Sequence, residues 1–240
     1  MTILRSILPF VAVVLGGCDL VGGEVIRGSG PVLSEDRYVE RFTSVSNATV
    51  ADVEILQGPY DNVRVRAQSS LLPYLRTRVT GNELRIYTDS DIQLRPTEPI
   101  IVEVDMGSLY RITSSGSGDV IAPYVDGGRV EIVSSGAGDI EMYALLADTV
   151  VVHGSGSGFI EISGDVLRQR IVLSGSGPLD ARNLDSYRVD ATISGSGTAT
   201  VRARDWLRAV LSGSGDLRYY GNPSVEQSVT GSGRVQRVGS

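Results

Sequence analysis

Apolar and polar residues alternate along the second half of the chain. Counting by twos from Ile132 gives Ser134, Gly136, Gly138, Ile140 and Met142, all small or apolar, while Glu131 and Glu141 take the opposite phase. The same phase runs through Val152, Gly154, Ile160 and Ile162, through Ile171, Leu173, Leu179 and Ala181, and through Ala209, Leu211 and Leu217. Period two is the mark of strands with one buried face. No segment of this region sustains a 3.6-residue period, so helices are not expected.

A tetrapeptide, [S/T]-G-[S/A]-G, interrupts the alternation without breaking its phase. Its glycine pairs are Gly116 and Gly118, Gly136 and Gly138, Gly156 and Gly158, Gly175 and Gly177, Gly195 and Gly197, Gly213 and Gly215, and Gly231 and Gly233. Successive pairs lie 20, 20, 19, 20, 18 and 18 residues apart. A fixed period near 20 indicates stacked supersecondary units. The glycines share the phase of the apolar residues, which predicts sharp inward bends with the serines outside. The leucine and asparagine pattern of leucine-rich repeats is absent. The sequence therefore predicts an all-β parallel solenoid with coils of about 18–20 residues, stacked about 4.8 Å apart.

Residues 38–110 carry strand patterns without the repeat. Candidate strands are Val50 to Leu56, Asn62 to Ala67, Arg76 to Thr80, Glu83 to Tyr87 and Ile100 to Asp105, with a turn at Thr80-Gly81-Asn82. The Leu71-Leu72-Pro73-Tyr74 segment reads as a short helical turn or a bulge. No Pro/Gly/Ser linker separates this region from Ser114, so residues 38–240 are read as one domain: less regular coils over 38–110 and repeat coils over 111–240. The alternative is a separate small β-domain over 38–110.

The first residues read as an export signal. Arg5 supplies a positive charge, and Ile7 to Leu15 is an apolar run too short for a permanent membrane span. Leu15-Gly16-Gly17-Cys18 follows and resembles the lipobox of bacterial lipoprotein signals. That resemblance implies removal of residues 1–17, lipid attachment at Cys18 and a membrane as partner through that lipid; an ordinary signal peptide with an incidental cysteine is the alternative. Asp19 leaves open which membrane holds the protein. Residues 18–37, with Gly22-Gly23 and Gly28-Ser29-Gly30-Pro31, read as the lipidated cysteine and a flexible tether reaching roughly 25 Å.

Composition narrows the function classes. The chain has 240 residues and a net charge of −6, and all 22 basic residues are arginine. An acidic chain argues against nucleic-acid binding driven by phosphate contacts. One Cys and one His leave no disulfide framework and no Cys/His zinc site. No cofactor is implied.

Candidate chemistry is sparse. Asp119 and Asp139 follow the tetrapeptide in consecutive coils, so stacking would bring their carboxylates within about 5 Å. Paired carboxylates can hold Ca²⁺ or act as acid and base. The ladder breaks, however, at Phe159, Pro178 and Thr198 and returns only at Asp216, which favours turn-capping aspartates. His153 lies on the polar phase of a strand and is expected to face solvent, with no G-x-S-x-G elbow to build a triad around it. Tyr219-Tyr220 and Trp206 could form a stacking surface for sugars; the alternative, which the phase favours, packs Trp206 at a coil corner and Tyr219 in the core at the end of the solenoid. The arginines alternate with acids and read as a solvated face.

Several segments together resemble a known family. They are Gly28-Ser29-Gly30, Phe42-Thr43-Ser44-Val45, Leu71-Leu72-Pro73-Tyr74, the repeated S-G-S-G-D-[V/I], and Tyr220-Gly221-Asn222-Pro223-Ser224-Val225 followed by Gly231-Ser232-Gly233. Over about residues 28–240 the chain resembles the putative autotransporter adhesin, head GIN domain proteins of bacterial envelopes. The resemblance implies a right-handed parallel β-helix. It brings no catalytic residue. The expected function is a lipid-anchored envelope protein acting as a non-catalytic, adhesin-like interaction module. The alternatives are an envelope polysaccharide lyase or hydrolase on the same scaffold, or a structural envelope scaffold.

Overall fold

The structure is a computed structural model and describes residues 23–239. It is all-β, with stacked parallel strands forming a solenoid of about six turns. Each coil has three faces, and long strands bend from one face to the next. Ile140–Gly154 runs through all three: Ile140 to Met142 on one face, Leu145 to Ala147 on a short second, and Thr149 to Gly154 on the third.

Parallel register stacks like on like. On the face that precedes each glycine corner, Ile112 pairs with Ile132, then Val152, Ile171, Ala191 and Ala209. On the face that follows it, Val120, Ile140, Ile160, Leu179, Ala199 and Leu217 form the matching row. All twelve are buried and belong to one core that extends from Phe42 to Leu217. The alternation in sequence is thus the inside and outside of one stacked wall.

The glycine pairs of each corner are held by backbone hydrogen bonds between coils. The Ser114 carbonyl accepts the N–H groups of Ser135 and Gly136, at 2.9 and 3.3 Å, and the Gly116 carbonyl accepts those of Ala137 and Gly138, at 3.0 and 3.3 Å. The pattern repeats coil after coil. It brings each corner so close to the last that a Cβ on Gly136 would lie 2.0 Å from the Gly116 oxygen, and one on Gly156 equally close to the Gly136 oxygen. Glycine is needed because backbone approaches backbone. The expected inward bend is not the cause, and none of the motif glycines has positive φ.

Every glycine corner has five residues between strands, as from Ser134 to Ile140 and from Leu211 to Leu217. The register shifts lie elsewhere, between Met142 and Leu145, Glu161 and Gly164, and Ala181 and Asp185. Gly164, at φ +133°, takes up one of these shifts in a conformation that favours glycine.

A first corner has no glycine pair. Asn47 stacks under Ser114, and Thr49 and Ala51 stand where later coils have glycine. Asn47 braces it, its side chain donating to the Ala51 carbonyl at 2.8 Å and accepting from the Thr49 N–H and hydroxyl.

Residues below this corner depart from the expected irregular coils. Glu83–Tyr87 and Ile101–Met106 do stack in parallel, under Ser44–Asn47 and Asp52–Gln57. But Asn62–Gln68 pairs antiparallel with Ile101–Met106, and Arg76–Thr80 pairs antiparallel with Glu83–Tyr87. These hairpin-like additions, with Leu71 and Leu75 fully buried at a turn, close one end of the core.

The stretch expected to be a tether is also partly folded. Glu24–Arg27 pairs in parallel with Ile92–Arg95, and Val32–Arg37 pairs antiparallel with Asn62–Gln68. Free edges on the closing hairpins supply the hydrogen bonds that this glycine-rich segment takes up. Cys18 and the export signal lie outside the described residues.

Candidate functional site

The outward side chains of the face preceding the glycine corners form rows along the stack. One row is Arg129, Thr149, Arg168, Arg188 and Trp206, each one coil beyond the last. The next row is Glu131, Val151, Arg170, Asp190 and Arg208. Parallel register converts residues about 20 apart into neighbours, so arginines scattered in the sequence line up in space.

Between these rows lies a groove of about 370 Å³, lined by Arg129, Arg168, Arg170 and Arg188 with Trp206 at one end. Val151 is part of the lining. It is outward in phase and separate from the interior core, yet only 3% exposed, so its side chain lies beneath those around it. The groove thus has a buried apolar floor under exposed guanidinium groups.

Its charge is lopsided: four arginines against one carboxylate, Asp190. Asp190 is engaged by Arg208 at 3.5 Å, and Arg188 reaches Asp205 at 3.9 Å. Glu131, just beyond the groove, is held by Arg111 at 2.9 Å, and that hydrogen bond raises the Arg111 pKa above its ordinary value. Arg129, Arg168 and Arg170 form no ion pair among the described residues. Three cations outside any ion pair, against one lining carboxylate, make an anion-attracting surface in a chain that is acidic overall.

Beneath the groove the interior row reads Val130, Val150, Gln169, Val189 and Leu207. Gln169 is buried, and its Oε1 lies 3.2 Å from the Ser186 hydroxyl while its Nε2 has no partner.

The aspartates singled out by sequence lie elsewhere. Asp119 and Asp139 sit at the glycine corner, and each carboxylate accepts a backbone N–H from the next coil: that of Asp139 at 2.8 Å and that of Phe159 at 2.7 Å. Asp52 does the same for Asp119, and Asp216 for Arg234. The bond runs between coils and not within a turn. It also accounts for the break at Phe159, because the residue stacked next is Pro178, which has no N–H to satisfy.

His153 is half-exposed, 3.9 Å from Glu131. Tyr219 packs partly against the core, and Tyr220 stacks with the Arg202 guanidinium. Trp206 was expected at a corner; its place on the wall, opposite Arg188, follows from a register shift just before it. Among the described residues no group of three His, Cys, Asp or Glu side chains could hold a metal ion. Sequence reading missed the arginine row, although the separation of Arg129 from Arg168 is two coil periods and that of Arg168 from Arg188 is one.

None of the curated proteins matches the chain. Solved structures do. A putative adhesin from Bacteroides fragilis superposes with a TM-score of 0.85 at 22% identity, covering 89% of this chain and 100% of that one. A putative lipid binding protein from Parabacteroides distasonis gives 0.71 at 25% identity, covering 90% of this chain and 100% of that one. A putative adhesin from Parabacteroides merdae gives 0.70 at 21%, covering 89% and 99%. These likenesses share the solenoid. The sequence pattern of one family covers residues 41–223, which is most of the chain and includes the whole groove. The chain belongs to the family described as putative auto-transporter adhesin, head GIN domain.

Proposed function

We propose that the protein is a non-catalytic, adhesin-like binding module of the bacterial envelope, lipid-anchored at Cys18, that engages its ligand through the outer wall of the solenoid. The observation that carries this reading is the groove over Val151, where unpaired arginines border a buried apolar floor. Such a surface recognises a partner and holds it. Family membership supports an adhesin-like role.

A polysaccharide lyase or hydrolase on this scaffold would need convergent acids or bases. Asp119 and Asp139 are committed to backbone N–H groups one coil away, and the groove holds a single carboxylate. This favours binding over turnover. The full chain, purified in detergent, is to be applied to an array of bacterial and host glycans and lipids, with released products assayed in parallel. Binding without product is the expected result. Cleavage of any bound glycan would overturn the non-catalytic reading.

A further inference from the structure

The groove's side chains define a ligand more closely than charge alone. Arginine presents a planar fork that pairs bidentately with carboxylate or sulfate. Arg168 and Arg188 are one coil apart, about 4.8 Å at the backbone, and Arg129 is two coils from Arg168, about twice that. A ligand that meets all three must carry anionic groups at intervals along its length. A lone phosphate or a single small acid would satisfy one or two and leave the rest.

The remaining positions point the same way. Thr149 fills the step between Arg129 and Arg168 and offers a hydroxyl. Trp206, partly exposed at the end of the row, presents a flat apolar ring with one N–H donor. The face of a sugar ring, apolar C–H bonds edged by hydroxyls, suits such a ring, and Val151 adds an apolar floor.

Nucleic acid fits less well. Single strands are gripped by successive aromatic side chains, one per base, and this groove has one.

We propose that the groove binds a linear acidic glycan, a chain of uronic or sulfated sugars lying along the stack, with its anionic groups on Arg168, Arg188 and Arg129 and one ring on Trp206. This rests on the reading of the protein as a non-catalytic binding module.

The test uses the full chain in non-ionic detergent over sensors bearing polygalacturonate, heparin or neutral dextran, with single-stranded DNA and anionic phospholipid vesicles as competing probes. One or both acidic polysaccharides bind, dextran does not, and added salt weakens the binding. Arg168→Ala and Arg188→Ala each weaken it about tenfold, the scale of a lost charge-assisted hydrogen bond. Trp206→Ala weakens it similarly and Trp206→Phe restores most of the loss. Arg218→Ala, on another face, changes nothing.

The assignment is overturned if the two exposed-arginine variants bind as the parent does, if dextran binds as well as the acidic chains, or if DNA or vesicles bind more tightly than either acidic chain. It also falls if no acidic chain binds, while binding to another ligand on the array would leave the module reading intact. Cleavage of polygalacturonate that depends on Arg168 and Arg188 would support the groove and overturn the non-catalytic reading.

Discussion

The Asp139 carboxylate accepts the backbone N–H of Phe159, 2.7 Å away and one full coil further along the stack. The amide is partly buried, so removing its acceptor leaves it poorly solvated. Asp139→Ala is expected to cost about 1 kcal/mol, and Asp139→Asn, which keeps an oxygen in place, well under that. Asp119→Ala should cost less, because the Asp139 amide it serves is exposed to water. Urea midpoints of the three variants give the order. Equal losses for alanine and asparagine would show that charge and not the acceptor matters.

At the neighbouring corner position the contrast is steric. A side chain on Gly136 meets the Gly116 carbonyl at a distance no Cβ tolerates, and the obstacle is backbone. Gly136→Val should therefore lie at or above the upper end of the usual overpacking cost of about 1–3 kcal/mol. Ser135 points outward and is exposed, so Ser135→Val should stay within about 0.5 kcal/mol. Midpoints are again the quantity to compare, since repeat arrays need not unfold in one step. A serine variant more damaging than the glycine variant would reverse the assignment of inside and outside.

Gln169 is a polar intrusion in an apolar row. Its orphan Nε2 costs about 1–3 kcal/mol, and Ser186 retains the Leu184 carbonyl as a partner without it. Gln169→Met, similar in shape, is expected to raise the thermal midpoint. If the midpoint falls, the amide has a partner that holds the wall in register.

The Tyr143 phenol donates to Glu141, and that bond, aided by lost solvation and by the charges of Glu141 and Glu161, raises its pKa above 10.0. A raised folded pKa favours the neutral phenol, so this contribution to stability is complete below the unfolded value and vanishes as pH rises through the folded one. Glu141→Gln should bring the Tyr143 midpoint down toward 10.0, read by NMR of ring-labelled tyrosine. An unchanged midpoint would remove Glu141 as the cause.

The proposed lipid attachment requires a thiol, and the sequence has one, at Cys18. Cys18→Ser is expected to shift the protein from the detergent phase to the aqueous phase and to abolish incorporation of labelled palmitate. Retention of label in the variant would defeat the anchoring proposal.

Much of the wall was legible in advance because its two signals are local. Alternation such as Ile132, Ser134, Gly136 needs only neighbours in sequence, and the glycine pairs mark each corner at a fixed period. The first corner was invisible for the reason that makes it possible: no glycine corner lies beneath Thr49 and Ala51, so side chains are allowed there. The closing strands at 62–68 and 76–80 were found as strands, but their antiparallel pairing depends on partners distant in sequence. The arginine row needed the register itself. Along the chain Arg168 and Arg170 flank a glutamine; across coils Arg168 stacks on Arg188.

The five-residue glycine corners and the shifting register at the other two corners divide the gene into stretches that tolerate length change and stretches that do not. Loss of one codon between Ala181 and Asp185 falls where register already jumps. The same loss between Ser134 and Ile140 would turn Ile140 and Met142 outward and cut both ladders at once. Duplication of a whole period meets neither obstacle. A coil inserted between those of Arg168 and Arg188 would lengthen the arginine groove by about 4.8 Å. Copying a segment would therefore lengthen the proposed binding surface with no redesign of the core.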